Sequence, residues 1–258
     1  MIYVIYLITG LLAGVIGGLL GTGGCALMMP VIRFGFHFDP AIAVGTTLTA
    51  VVFTAGSGAY QHIKMKNVDK STVWIVGASG VLGVIIGSIV FGYIKNYGNV
   101  IDLILGIAFL AVSLRMMYEG FLGRGPKNPA EDQMPGTTTT KGFLGSFIGF
   151  LTGIIGLGGG YALVPSFIYF LSAPVKLAIG TSMASFVWIA LVGAMFKIYQ
   201  GVVNIPVAIT LGVGALIGAI YGAKLVAKFK PNALKALFGL LFLYVSLKYI
   251  LIYFGIAI

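Results

Sequence analysis

Gly18-Leu19-Leu20-Gly21-Thr22-Gly23-Gly24-Cys25-Ala26-Leu27-Met28-Met29-Pro30 and Gly153-Ile154-Ile155-Gly156-Leu157-Gly158-Gly159-Gly160-Tyr161-Ala162-Leu163-Val164-Pro165 are one motif written twice, 135 residues apart. The echo extends without a gap from Gly10–Ser88 onto Gly145–Ala223. It carries Gly45-Thr46-Thr47 onto Gly180-Thr181-Ser182, and Gly77, Gly83 and Gly87 onto Gly212, Gly218 and Gly222. A duplicated, glycine-punctuated, strongly apolar chain has the pattern of a secondary transporter built from structural repeats.

Composition sets the solvent. Of 258 residues, 59% are hydrophobic and only 9% charged, with a mean hydropathy of +1.06. A water-soluble domain carries about 25% charged residues. The apolar stretches are long enough to cross a hydrocarbon core of about 30 Å. The fold class expected is all-α, a polytopic integral membrane protein. The net charge of +10 comes from bases at segment ends, so the partner implied is the anionic face of the lipid bilayer and not a nucleic acid. The single cysteine, Cys25, excludes an intramolecular disulfide and a cysteine metal cluster. Met1–Leu7 has no charged n-region, so the first segment is expected to stay in the membrane.

Hydrophobicity divides residues 1–118, repeat one, into Ile2–Leu20, Cys25–Phe36, Ala41–Gln61, Val73–Ile94 and Val100–Met117. Residues 142–258, repeat two, divide into Gly142–Ile155, Gly160–Ser172, Leu177–Ile198, Ile205–Val226 and Ala233–Phe254. Residues 119–141, with Gly, Pro, four consecutive Thr and three of the six acids, read as a solvated cytoplasmic linker. The second segment of each repeat is too short to cross at 1.5 Å per residue. Each opening pair is therefore expected to form a glycine-broken re-entrant pair, followed by three transmembrane helices. Under that reading the two repeats are inverted. Twelve of the 16 Lys and Arg then fall on one side, against Arg33, Lys95, Lys197 and Lys248 on the other. That is a positive-inside signal placing both termini outside. Parallel repeats would split the bases 9 to 7, which is no signal.

Function is expected at the breaks. Gly21, Thr22, Gly23, Gly24 and Cys25, with Gly156, Gly158, Gly159 and Gly160, lie between helical pieces and ahead of Pro30 and Pro165. Glycine lets backbone N–H groups approach a ligand, and a helix starting there turns its positive end toward an anion. The bland alternative is close helix packing through small residues. Gly45, Thr46 and Thr47, with Gly180, Thr181 and Ser182, would add hydroxyl donors, or merely bond back to their own helix. Asp39-Pro40 reads as an N-cap followed by proline at the first helical position. Cys25 is a small apolar filler or a contact for a sulfur-bearing ligand. His62 and Lys197 occupy equivalent places, as cations at helix ends or as gates on an anion path. No acid lies mid-segment, which argues against carboxylate-based ion coupling. No catalytic set can be assembled, so an enzyme is not expected, and neither a cofactor nor a metal is implied.

On these residues (GGLLGTGGCALMMP at 17–30, GTT at 45–47, GIIGLGGGYALVP at 153–165 and GTS at 180–182) the chain resembles the TauE/SafE family of membrane proteins. That family includes proteins read as exporters of sulfite and organosulfonates. The resemblance covers both halves and implies transport of a small, often sulfur-bearing anion across a prokaryotic cytoplasmic membrane. Cys25 departs from a position where the family often has another glycine. The expectation is a secondary transporter exporting a sulfur oxyanion or organosulfonate such as sulfite. The alternatives are uptake of a reduced sulfur compound or other organic anion, an anion channel, and a membrane scaffold without flux.

Overall fold

The computed structural model describes residues 2–122, 134–156, 160–228 and 231–254. Helices account for nearly all of them: α1 (Ile2–Leu20), α2 (Cys25–Pro30), α3 (Pro40–Lys64), α4 (Lys70–Ile94), α5 (Gly98–Leu122), α6 (Thr138–Ile155), α7 (Gly160–Phe170), α8 (Val175–Tyr199), α9 (Ile205–Leu225) and α10 (Pro231–Tyr253). A π-helical turn, Val31–Gly35, follows α2. Among the described residues, α1, α3, α4, α8 and α9 are long and apolar enough to cross a membrane.

Helix ends follow local chemistry. Asp69, Thr137 and Asn204 cap α4, α6 and α9, each accepting from the backbone N–H three residues on, the usual N-cap bond. Asp39 stands at the cap of α3 before Pro40, as its sequence suggests, but its side chain makes no cap bond. The tract at 137–140 supplies that cap and the opening turn of α6, so α6 begins at Thr138, four residues before the expected segment. α5 likewise runs on to Leu122. Met134 and Lys141 are buried, so this end of the expected linker is packed, not solvated.

Glycine spacing sets the helix pairing. Gly10, Gly14 and Gly18 of α1 lie against Leu211, Ala215 and Ala219 of α9, and Gly145, Gly149 and Gly153 of α6 against Val76, Gly80 and Val84 of α4. Both pairs are parallel and bring backbone onto backbone, the small-xxx-small contact by which helices attract in lipid. α3 and α8 form the centre. Leu48, Gly58 and His62 meet Gly193, Met183 and Gly180, so these two equivalent helices run in opposite directions. α5 and α10 are also antiparallel, with Gly106 against Ile250, Gly239 against Met117 and the Phe109 and Phe242 rings 5.2 Å apart.

One pair of bonds between the halves is matched by the repeat. The backbone N–H of Asn204 donates to Thr46 Oγ1 at 3.0 Å, and that of Asp69 to Thr181 Oγ1 at 3.0 Å. Subtracting 135 from Asn204 and adding it to Thr46 turns the first bond into the second. The turn at Met65–Asn67 is also repeated at Gln200–Val202, bond for bond.

Asp69 ties the end of the central segment to this frame. Its carboxylate accepts from the backbone N–H of Thr72 at 2.7 Å and of Met134 at 2.9 Å, while Lys141 Nζ donates to the Met134 carbonyl at 2.8 Å. Burial alone would raise its pKa, but these two N–H bonds and the Lys141 charge outweigh it and hold the carboxyl below the usual aspartate value. A depressed carboxylate stabilises the fold above its unfolded pKa and loses that contribution as pH falls through the folded value. Asp69→Ala is therefore expected to cost about 1–2 kcal/mol at neutral pH. The gap to wild type in detergent thermal melts should close below the ordinary value of 3.8. A gap unchanged at pH 3 would sink the assignment.

Candidate functional site: two helix breaks in contact

Between α1 and α2 the chain reverses. Gly21, Gly23 and Gly24 have φ of +75°, +69° and +78°, the left-handed region that side chains resist. The returning arm lies back along α1, with Gly24 against Gly17 and Ala13 and Phe36 4.6 Å from the Tyr6 ring. Gly156, with φ of +65°, starts the second break as Gly21 starts the first. Gly158 and Gly159 lie outside the described residues.

The two breaks touch. Gly160, the first residue of α7, packs on the Gly21 carbonyl and the Thr22 backbone, leaving no room for a Cβ. Thr22 is fully buried, its hydroxyl accepts from the Gly24 N–H at 3.4 Å, and Cys25 Sγ donates to the Thr22 carbonyl at 3.1 Å. From α8, the Ser182 hydroxyl donates to Ile179 O at 2.8 Å and leans on Gly21 O at 3.3 Å. Its counterpart on α3, Thr47, is fully buried and its hydroxyl has no partner among the described residues. Val51 and Phe186 close the floor beneath Gly23.

The structure separates residues that sequence spacing had grouped. Gly45 packs on Val202 and Gly180 on Asn67, and Thr46 and Thr181 accept the loop amides ahead of α9 and α4. These four fasten the halves together, while Ser182 packs on Gly21, and Val44, one turn before Thr47, packs on Gly156. Successive residues point about 100° apart around a helix, so the hydroxyls of one Thr-Thr pair serve two different neighbours. Pro30 and Pro165 sit inside α2 and α7. A proline lacks the N–H for the i−4 bond, and α2 loosens into the π turn directly after Pro30.

His62 and Lys197 depart from the expected interfacial placing. Both are fully buried. His62 Nε2 lies 3.2 Å from the Gly18 carbonyl, and Lys197 Nζ donates to the Gly153 carbonyl at 2.7 Å. Gly18 and Gly153 are in the last turns of α1 and α6, where helix carbonyls lack intrahelical donors. Each basic residue thus caps the end of the broken helix of its own repeat, where a cation suits the dipole. Lys197 also lies over Phe91, 3.1 Å from the ring centroid.

Sequence reading missed Asp102. It lies in the first turns of α5 at 1% exposure, paired with Arg33 at 3.3 Å. The available signal was a lone Arg and a lone Asp within apolar segments, a costly placement unless they meet. A crevice of about 340 Å³ lined by Ala59, Ile63, Trp74 and Trp188 lies away from the breaks; its almost wholly apolar wall does not suit an anion.

The sequence profile of the family described as Sulfite exporter TauE/SafE matches residues 6–249. The chain belongs to the TauE/SafE family. Relatives of this TauE/SafE protein are named as transporters. It is 27% identical to the probable membrane transporter protein YunE of Bacillus subtilis, over 99% of each chain. A probable membrane transporter protein of Methanocaldococcus jannaschii is 26% identical over 89% of this chain and 88% of its own. One of Xylella fastidiosa is 28% identical over 93% and 91%. No solved structure matches it. The match spans both repeats and both breaks, and this TauE/SafE chain is a multi-pass membrane transporter.

Proposed function

We propose that the protein exports a small sulfur oxyanion, sulfite or an organosulfonate, through a single site made where the two glycine breaks meet. The observation that carries this is the contact of Gly160 with Gly21–Thr22, together with a fully buried Thr47 hydroxyl that has no partner among the described residues and stands one turn after Val44, which packs on Gly156. A buried hydroxyl without a partner costs about 1–3 kcal/mol, and an anion oxygen would supply that partner. The first amides of α7 add the donors and positive dipole end of a helix start. The name of the family suggests sulfite.

Inverted topology is part of the same reading. It is supported by the opposite running of α3 and α8 and of α5 and α10, and by the exchange of matched bonds between halves. With these directions, Lys64, Lys66, Lys70, Lys141, Lys176, Lys224 and Lys228 fall at one end of the bundle and Arg33, Lys95, Lys197 and Lys248 at the other, seven against four. The positive-inside rule makes the first end cytoplasmic and puts both termini outside. A potential of about 100 mV, negative inside, favours exit of a monoanion by about 2.3 kcal/mol, roughly 50-fold, so export needs no coupling ion.

The test is sulfite efflux from proteoliposomes at zero and at imposed potential. Saturable flux with counterflow, faster when the sulfite-loaded lumen is negative and weakened by Thr47→Val or Ser182→Ala, is expected. Ohmic current without counterflow would make the protein a channel. Equal flux at both potentials would remove the export argument, and no saturable flux for sulfite, thiosulfate or taurine would end the anion reading.

A further inference from the structure

Lys197 is fully buried, and its capping bond uses only one of its donors. A neutral donor would satisfy the Gly153 carbonyl as well. An ammonium carries three donors, and here it meets one carbonyl oxygen and one aromatic face. Among the described residues the only ion pair is Arg33–Asp102, so no carboxylate balances Lys197. An isolated cation at such a place is expensive, and a bound anion removes the expense.

A polar track joins this cation to one face of the bundle. Ser88, Phe91, Gly92 and Lys95 share one side of α4, facing the end of α8. The Gln200 side-chain amide donates to the Ser88 carbonyl at 2.6 Å, and Lys95 Nζ lies 3.4 Å from the Gln200 carbonyl. Ser88 packs on Gly153, whose carbonyl holds Lys197. The Ser88 hydroxyl is buried without a partner among the described residues and has a donor to give an anion. The opposite end of the bundle differs in sequence: the residues 135 away from Ser88, Phe91, Lys197 and Gln200 are Ala223, Val226, His62 and Met65, while Lys95 is matched by Lys230.

We infer that Lys197 is a direct cationic ligand of the transported oxyanion, and that Ser88, Gln200 and Lys95 line its passage between the breaks and one face. This rests on the anion-transport reading above and assigns its charge-bearing residue. The carbonyl that Lys197 holds, that of Gly153 in the last turn of α6, lies three residues before Gly156, where the second break starts. Lys95, part-exposed at the end of α4, collects anions at the mouth. The pseudo-symmetric end has the His62 imidazole in place of the Lys197 amine and the Ala223 methyl in place of the Ser88 hydroxyl, so the two ends treat the anion differently.

Sulfite affinity of the purified protein, by calorimetric titration in detergent, separates the two readings. Lys197→Gln is expected to weaken binding about 10-fold or more, while Lys197→Arg stays within about threefold of wild type and His62→Gln within about twofold. Lys95→Gln should keep the affinity but flatten the salt dependence of sulfite flux, as loss of a steering charge does. Wild-type affinity in folded Lys197→Gln overturns this inference and leaves anion transport standing. No response of wild type to sulfite, thiosulfate or taurine overturns both. Should Lys197→Gln fail to fold for want of the α6 cap, Ser88→Ala decides, since Ser88 caps nothing: about fivefold weaker binding supports the track, and unchanged affinity rejects it.

Discussion

Gly160→Ala is expected to abolish saturable anion flux and to lower the melting temperature, although it adds a single methyl group. The new Cβ would fall on the Gly21 carbonyl and 2.8 Å from the Thr22 Cα. Both obstacles are backbone, held by three left-handed residues in a row of four, so no rotamer change relieves the clash and the breaks must part. Overpacking a rigid core costs about 1–3 kcal/mol, and separation of the breaks dismantles the site itself. Gly56→Ala and Gly142→Ala are the controls. Nothing lies within 4 Å of a Cβ at either place, and alanine favours a helix over glycine by about 1 kcal/mol. They should melt at or above the wild-type temperature and keep their flux. If Gly160→Ala transports like wild type, the two breaks do not form one site.

Arg33→Ala is the second large effect, and it acts outside that site. Arg33 donates to Asp102 at 3.3 Å and to the Phe38 carbonyl at 3.1 Å, joining the returning arm of repeat one to α5. Asp102 is 1% exposed and the Arg33 side chain 22%. Removing one partner leaves a buried carboxylate uncompensated, which costs about 3–5 kcal/mol. Replacing both by apolar residues of similar size is often neutral. Arg33→Ala should therefore melt well below wild type, and the double substitution Arg33→Met with Asp102→Leu should recover most of the loss. A double variant no better than the single one would mean that the pair contributes through Phe38 and chain placement rather than through charge. No ligand-binding role follows for this pair, so residual sulfite affinity in the double variant should match wild type.

The duplication made much of this fold legible. Gly10, Gly14 and Gly18 repeat at Gly145, Gly149 and Gly153, and in the structure both triplets pack against a helix of the other half. The break glycines serve otherwise: they carry positive φ or bring Gly160 onto Gly21. Both readings of glycine hold, at different residues. Helix ends were legible to within a few residues wherever a cap or proline marked them.

Partners were not legible. Thr46 and Thr47 are neighbours of one chemical type, yet one accepts a loop amide from the other half and the other is buried with no partner among the described residues. His62 and Lys197 sit near helix ends in the sequence and look interfacial, yet both are buried on carbonyls of broken helices. Asp102 sits near a segment end and looks wet, yet it is sealed beneath Arg33.

The amino-acid sequence alone determined the solvent, the number of repeats, the place of the two breaks and the small-residue stripes, because hydropathy, glycine and proline act within a few residues of themselves. Only the tertiary structure decided which helix faces meet, and with them which hydroxyls stay unpaired and which cations are buried. A side chain's direction about its helix axis turns about 100° per residue, and its burial depends on a neighbour that is 44 residues away for Lys197 and 158 for Thr46.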